Sequence, residues 1–159
     1  MDEGERLIGQ LHRSRAAMQR ALSAVDAKME IYPGWTVREI LIHIAGWGEV
    51  GAAAVRAHIV GDAPAPLKVR GIDAYNAYVI ERCKALTHKE AIEYWMQARR
   101  QLVDALDKMP QVKFADRIVY PWGETGDVAR LVSILDEHEW EHAAEIMGML
   151  SPGSDEEDN

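Results

Sequence analysis

The chain has 159 residues, 48% hydrophobic and 28% charged, with a formal net charge of −8, which is the profile of one globular domain with its own core. Four of those negative charges lie in a terminal acidic run, and the rest of the chain has no Lys and Arg cluster interleaved with aromatics, so nucleic acid is not an expected partner. The acidic start Met1-Asp2-Glu3 is unlike a secretory signal, no apolar run reaches a membrane span, and the lone Cys83 has no partner for an internal disulfide, so a reducing, cytoplasmic setting is expected.

Leu7, Leu11, Met18, Leu22 and Val25 recur at helical spacings with Arg13, Arg15 and Gln19 between them, which predicts a first helix over about 4–29. Pro33 and Gly34 close that region. Thr36 with Glu39 three residues on has the form of a capping box, so a second helix starts near Val37. Its apolar stripe runs through Ile40, Leu41, Ile44 and Val55 and ends before Gly61 and the Pro64/Pro66 segment, and Gly48 and Gly51 suggest close helix approach.

Ile72 to Leu86 can form a shorter helix carrying Tyr75, Tyr78 and Val79. Thr87 and Glu90 repeat the capping pattern, and Ile92, Trp95, Leu102 and Leu106 carry a third long helix to Pro110. A loop with Pro121, Trp122, Gly123 and Gly126 follows, and Val128, Leu131, Val132, Leu135, Ile146 and Met149 mark a last helix over about 127–150. The residues from Ser151 to Asn159 lack an apolar anchor, so the expected division is a helical domain over 1–150 and an acidic disordered tail over 151–159. The long connection between Gly61 and Thr87 allows the second and third long helices to run parallel. The expected fold is therefore an all-α four-helix bundle, up-down-down-up, with a short extra helix in the crossover.

On a helical wheel His138 and His142 interrupt the apolar face of the last helix. A buried imidazole without a partner costs on the order of a few kcal/mol, so the pair needs hydrogen bonds or a metal. Four-residue spacing lets two ring nitrogens reach one ion at about 2.0–2.1 Å. For this pair alone, two core histidines bonded to a carbonyl or a glutamate explain the pattern equally well. His43 supplies a third candidate: it edges the apolar stripe of the second helix, as far from that helix's start as His142 is from the end of the last. Antiparallel packing would bring all three to one level of the bundle. His12, His58 and His88 sit among charges or near helix ends and are expected to be solvated.

The segment Trp35-Thr36-Val37-Arg38-Glu39-Ile40-Leu41-Ile42-His43-Ile44-Ala45-Gly46-Trp47 resembles the second-helix segment of the DinB-like (DinB/YfiT) superfamily. His138-Glu139-Trp140-Glu141-His142-Ala143-Ala144-Glu145-Ile146 resembles its last-helix motif. The resemblance implies the same bundle, a divalent metal held by His43, His138 and His142, and frequent homodimers; Trp140 and Met147, off the main apolar face, would suit a dimer. It also implies a range of activities, among them thiol-dependent transferases and isomerases that use mycothiol or bacillithiol. Gly46-Trp47-Gly48-Glu49 is similar to the same part of the colibactin self-resistance proteins, which hydrolyse a cyclopropane without depending on the histidines, and an intact triad argues against that assignment.

Three neutral imidazoles leave coordination positions open, as in catalytic sites, and suit Zn²⁺, Ni²⁺ or Fe²⁺. The expected function is that of a metal-dependent, thiol-dependent transferase or a hydrolase acting on a small electrophile, with a low-molecular-weight thiol as candidate partner. The competing class is a non-enzymatic, metal-stabilised module that binds a small molecule or dimerises. Glu49, Glu139 and Glu141 are the nearest carboxylates and are expected to be solvated or to support the ligands rather than move protons. Trp47, Trp95, Trp122, Trp140, Tyr75 and Tyr78 are expected in the core before a cleft.

Overall fold

The computed structural model describes residues 1–150. The acidic tail expected over 151–159 lies outside them. In chain order the elements are α1 (Glu3–Ala24), α2 (Val37–Ile59), α3 (Ile72–Arg82), α4 (His88–Lys108), a 3-10 turn (Gln111–Lys113), β1 (Ile118–Val119), β2 (Thr125–Gly126) and α5 (Val128–Leu150). Helices α1, α2, α4 and α5 form the bundle, with α2 packed most extensively on α4 and α1 on α5, while α3 lies in the crossover against α2.

Both expected capping sites form. The Thr36 amide and hydroxyl donate to the Glu39 carboxylate at 2.9 and 2.6 Å. At α4 the Glu90 amide donates to the Thr87 hydroxyl at 3.1 Å and the Thr87 amide donates back to Glu90 at 3.4 Å. Helix α1 ends earlier than its periodicity suggests, because the Asp26 side chain and carbonyl accept from the amides of Lys28 and Met29, a local turn that competes with the helix. Helix α3 likewise stops at Arg82 instead of Leu86.

Every residue from Ile40 to Trp47 is buried, so this stretch of α2 is enclosed on all sides, by α4, α5 and α3. Two glycines permit that enclosure. A Cβ at Gly46 would lie 2.7 Å from Cγ1 of Val79 on α3, and one at Gly51 would lie 2.6 Å from Cδ1 of Leu135 on α5. Gly48 faces Ala98 at an ordinary 3.6 Å, so the tightest approaches fall at Gly46 and Gly51. His43 meets His138 while Gly51 meets Leu135, so chain number rises along α2 as it falls along α5 and the two helices run antiparallel at the site.

The hairpin between α4 and α5 pairs Ile118 with Gly126 and Val119 with Thr125. Tyr120 fastens it by donating to the Asp127 carbonyl at 2.6 Å, and Trp122 at its tip packs against Trp47 with ring centroids 5.9 Å apart. No helix among the described residues is long and apolar enough to cross a membrane.

Candidate metal centre

Antiparallel α2 and α5 bring His43, His138 and His142 together, each offering one ring nitrogen within 4.8 Å of the others. Nε2 of His138 lies 2.9 Å from Nε2 of His43 and 3.0 Å from Nε2 of His142. The rings stand nearly perpendicular, at 81°, 88° and 71°. A ring nitrogen has either one proton or one lone pair, so Nε2 of His138 can make one in-line hydrogen bond, not two. A cation accepting three lone pairs satisfies the same geometry, since nitrogens about 2.0–2.1 Å from one tetrahedral ion lie a little over 3 Å apart.

The electrostatics favour neutral rings, the form that ligates. Burial lowers the pKa of His43 to about 4, helped by His142, while neighbouring Asn76 acts weakly the other way. Burial and the two partner histidines lower that of His138 to about 3, and burial lowers that of His142 as well. The phenol of Tyr32 lies 2.9 Å from Nδ1 of His142, so a ring that ligates through Nε2 donates its remaining N–H to that oxygen. Trp35 leans on the His43 ring with centroids 5.4 Å apart, and Nδ1 of His43 is buried without a hydrogen bond. Tyr32 and Trp35 pair with each other as an isolated bridge in the loop before α2.

His43 and His138 form part of the wall of an open cleft of about 490 Å³. Trp47, Trp122, Ile72, Ile134 and Leu135 supply its apolar surface, with Asn76, Glu124, Arg130, Glu137 and Glu141 as its polar groups. Trp47 is held by donating to Oδ1 of Asn76 at 2.7 Å. Arg130, the one Lys or Arg among the described residues that line it, pairs with Glu137 at 3.3 Å.

The three candidate carboxylates separate. Glu141 is exposed and lines the cleft. Glu49 lies 3.5 Å from Arg82 and borders a different cleft, between α2, α3 and the Pro64–Leu67 segment. Glu139 is fully buried, accepting from Trp95 and Arg99 on α4 and from Ser14 on α1, the last at 3.0 Å. Among the aromatics, Trp95 is core, Tyr75 is buried and donates to the Gly46 carbonyl at 3.1 Å, Tyr78 is partly buried under Arg82, and Trp140 is exposed. His12 is exposed as expected, whereas His58 and His88 are partly buried. His58 donates through Nε2 to the Lys113 carbonyl at 2.9 Å, because the 3-10 turn after α4 folds back over the end of α2.

A helical bundle that gathers three histidine ring nitrogens beside a solvent-open cleft defines a candidate metal-binding bundle protein. The DinB superfamily pattern matches residues 10–146, and the chain belongs to that superfamily. The fold is similar to that of the mycothiol-dependent maleylpyruvate isomerase, with a TM-score of 0.75 at 14% identity over 90% of this chain and 60% of that one. A variant of the same isomerase gives 0.75 at 15% identity with equal coverage. DfsB, a sibling lethal factor precursor, gives 0.74 at 18% identity over 92% of this chain and 94% of its own. The chain thus spans about 60% of the length of the isomerase, and at these identities the likeness is one of fold. Among curated proteins, none matches the sequence.

Proposed function

We propose that His43, His138 and His142 hold one divalent ion through their Nε2 atoms, and that the protein uses it to transfer a low-molecular-weight thiol to a small electrophile. The observation that carries this reading is the convergence of three ring nitrogens, all favoured in the neutral form, from histidines two of which, His43 and His138, line a cleft large enough for a ligand. Such an ion supplies Lewis acidity, which favours the thiolate over the thiol at neutral pH.

The chain's own residues would do the rest. Trp47 and Trp122 offer flat apolar surface to the body of a substrate, and Asn76 fixes Trp47. Glu141 has no hydrogen bond or ion pair among the described residues and lines the cleft with His138, which suits it to accept the proton that leaves the thiol. Sulfur then bonds to the electrophilic carbon, and the displaced electron pair either leaves with the departing group or, on addition to a double bond, passes to the neighbouring atom, which takes up the proton. The mycothiol-dependent neighbour supports a thiol as the second substrate. Hydrolysis of the same electrophile is the companion reading, with water replacing the thiol.

A screen of thiols against small electrophiles with the zinc-loaded protein tests the proposal. Turnover that needs both thiol and metal supports transfer, whereas thiol-independent consumption identifies the hydrolase. A binding or dimerisation module would show neither, and metal removal would then lower its stability alone.

A further inference from the structure

A second void of about 10 Å³, lined like the open cleft by Leu135 and His138, lies between α2, α4 and α5. It is walled by Ile44, Gly48, Trp95 and Leu135 among others, and its only polar side chains among the lining residues are Trp95, Arg99 and His138. The Trp95 indole is already committed to Glu139.

Arg99 is 6% exposed, and its Nη2 is committed to Glu139, but its Nη1 is buried with no partner. The Nε2 of His138 belongs to the triad, and Nδ1 of His138 has no hydrogen-bond partner among the described residues. A buried guanidinium N–H left unmade is costly, and a void of roughly 10–15 Å³ is the smallest that takes a water. We propose that this void is an ordered-water site at which one oxygen accepts from Nη1 of Arg99 and from Nδ1–H of His138, making Arg99 a positioning residue for the central metal ligand.

The inference rests on the reading of His138 as a ligand through Nε2, because that role leaves the proton on Nδ1. Glu139 acts through Arg99. It pairs with the guanidinium, accepts from Trp95 and follows His138 directly on α5, so the ion pair, the void and the ligand form one unit joining α4 and α5. Ser14 touches Glu139 and does not line the void, which separates support of the ion pair from support of the histidine.

The test compares zinc affinity, measured by competition with a chromophoric chelator, in the wild type, R99M, S14A and the double variant R99M/E139Q. The double variant removes both charges of the Arg99–Glu139 pair together, so it keeps the comparison open where R99M alone fails to fold. R99M/E139Q is expected to bind zinc about 10–100-fold more weakly than wild type, while S14A stays within about threefold. A high-resolution crystal structure of the wild type should place a water within hydrogen-bond distance of Nη1 of Arg99 and Nδ1 of His138. Wild-type zinc affinity in folded R99M/E139Q, or a dry void in that structure, overturns the proposal. Wild-type protein that takes up no zinc at all removes the metal reading instead, and density in the void still decides the water site.

Discussion

The phenol oxygen of Tyr32 lies 2.9 Å from Nδ1 of His142, joining the loop before α2 to the last helix over 110 residues of chain. The phenol can accept from Nδ1–H or donate to a bare Nδ1, and when it accepts, His142 presents a bare Nε2 to the other two histidines. Y32F removes the oxygen and keeps the ring, so it is expected to weaken zinc binding about tenfold and leave helical content unchanged. Calorimetric titration with zinc and far-ultraviolet circular dichroism check both halves, and an unchanged affinity would show that Tyr32 does not orient the ligand.

Removing a ligand is a larger change than removing its support. H142A and H138A are each expected to lose stoichiometric zinc binding, and H12A, on an exposed histidine of α1, to keep it. Elemental analysis after dialysis reads the result. If either triad variant retains one tightly held ion per chain, the three nitrogens are not the site.

The lowered pKa values set a sign for pH. An unfolded histidine titrates near 6.5, whereas folded His43 titrates at about 4 and His138 at about 3. Between those limits the unfolded chain binds protons that the metal-free folded protein refuses, so stability falls as pH drops from about 6.5. The metal-free wild type is expected to melt at a lower temperature at pH 5 than at pH 7.5, and H43A/H138A to lose much of that dependence. Zinc affinity of the folded protein, by the same shifts, should change little between pH 8 and 6, because His43 and His138 titrate well below that range and His142 is shifted in the same direction. A tenfold loss of affinity over that interval would show that the rings titrate in their ordinary range.

The bundle was legible where local chemistry and periodicity agree. Thr36 with Glu39, Thr87 with Glu90, and Pro110 mark helix boundaries through hydrogen bonds or ring sterics that need no tertiary partner. The convergence of the histidines was legible because two of them break an apolar face four residues apart. Tyr32 was not, since it sits in a loop with no period and meets His142 only after folding. Glu139 is buried where solvation or support of the ligands was expected, and its burial was not legible because its partners Ser14 and Arg99 lie 125 and 40 residues away in sequence. Strands of two residues are too short to show alternation, so the hairpin had no signal beyond its turn residues.

Close helix approach makes a separate expectation about α2. G46A would gain roughly 1 kcal/mol of helix propensity, but its methyl would collide with both branches of Val79, a stiff side chain that is itself buried. Overpacking of that kind costs about 1–3 kcal/mol, so a net loss of stability is expected. G48A, facing Ala98 at 3.6 Å, has room and should be neutral or stabilising. Urea denaturation of the two variants gives the comparison, and G46A at least as stable as G48A would contradict the packing of α3 on α2.

Glu139 supplies the sharpest contrast with its neighbours on α5. Its carboxylate is fully buried, and burial raises its pKa against the opposing pull of Arg99, Trp95 and Ser14, three donors drawn from two other helices. E139A leaves the Arg99 guanidinium buried without its ion partner, a change that typically costs about 3–5 kcal/mol. Glu137, two residues earlier, is exposed and paired with the equally exposed Arg130, so E137A should change stability by less than about 0.5 kcal/mol. In a chain of this size each kcal/mol moves the melting temperature by about 2–4 °C, so E139A should melt roughly 6–20 °C below wild type and E137A within about 2 °C of it. Differential scanning calorimetry separates them. Equal melting temperatures for the two variants would mean that Glu139 is not a buried anchor of α1, α4 and α5.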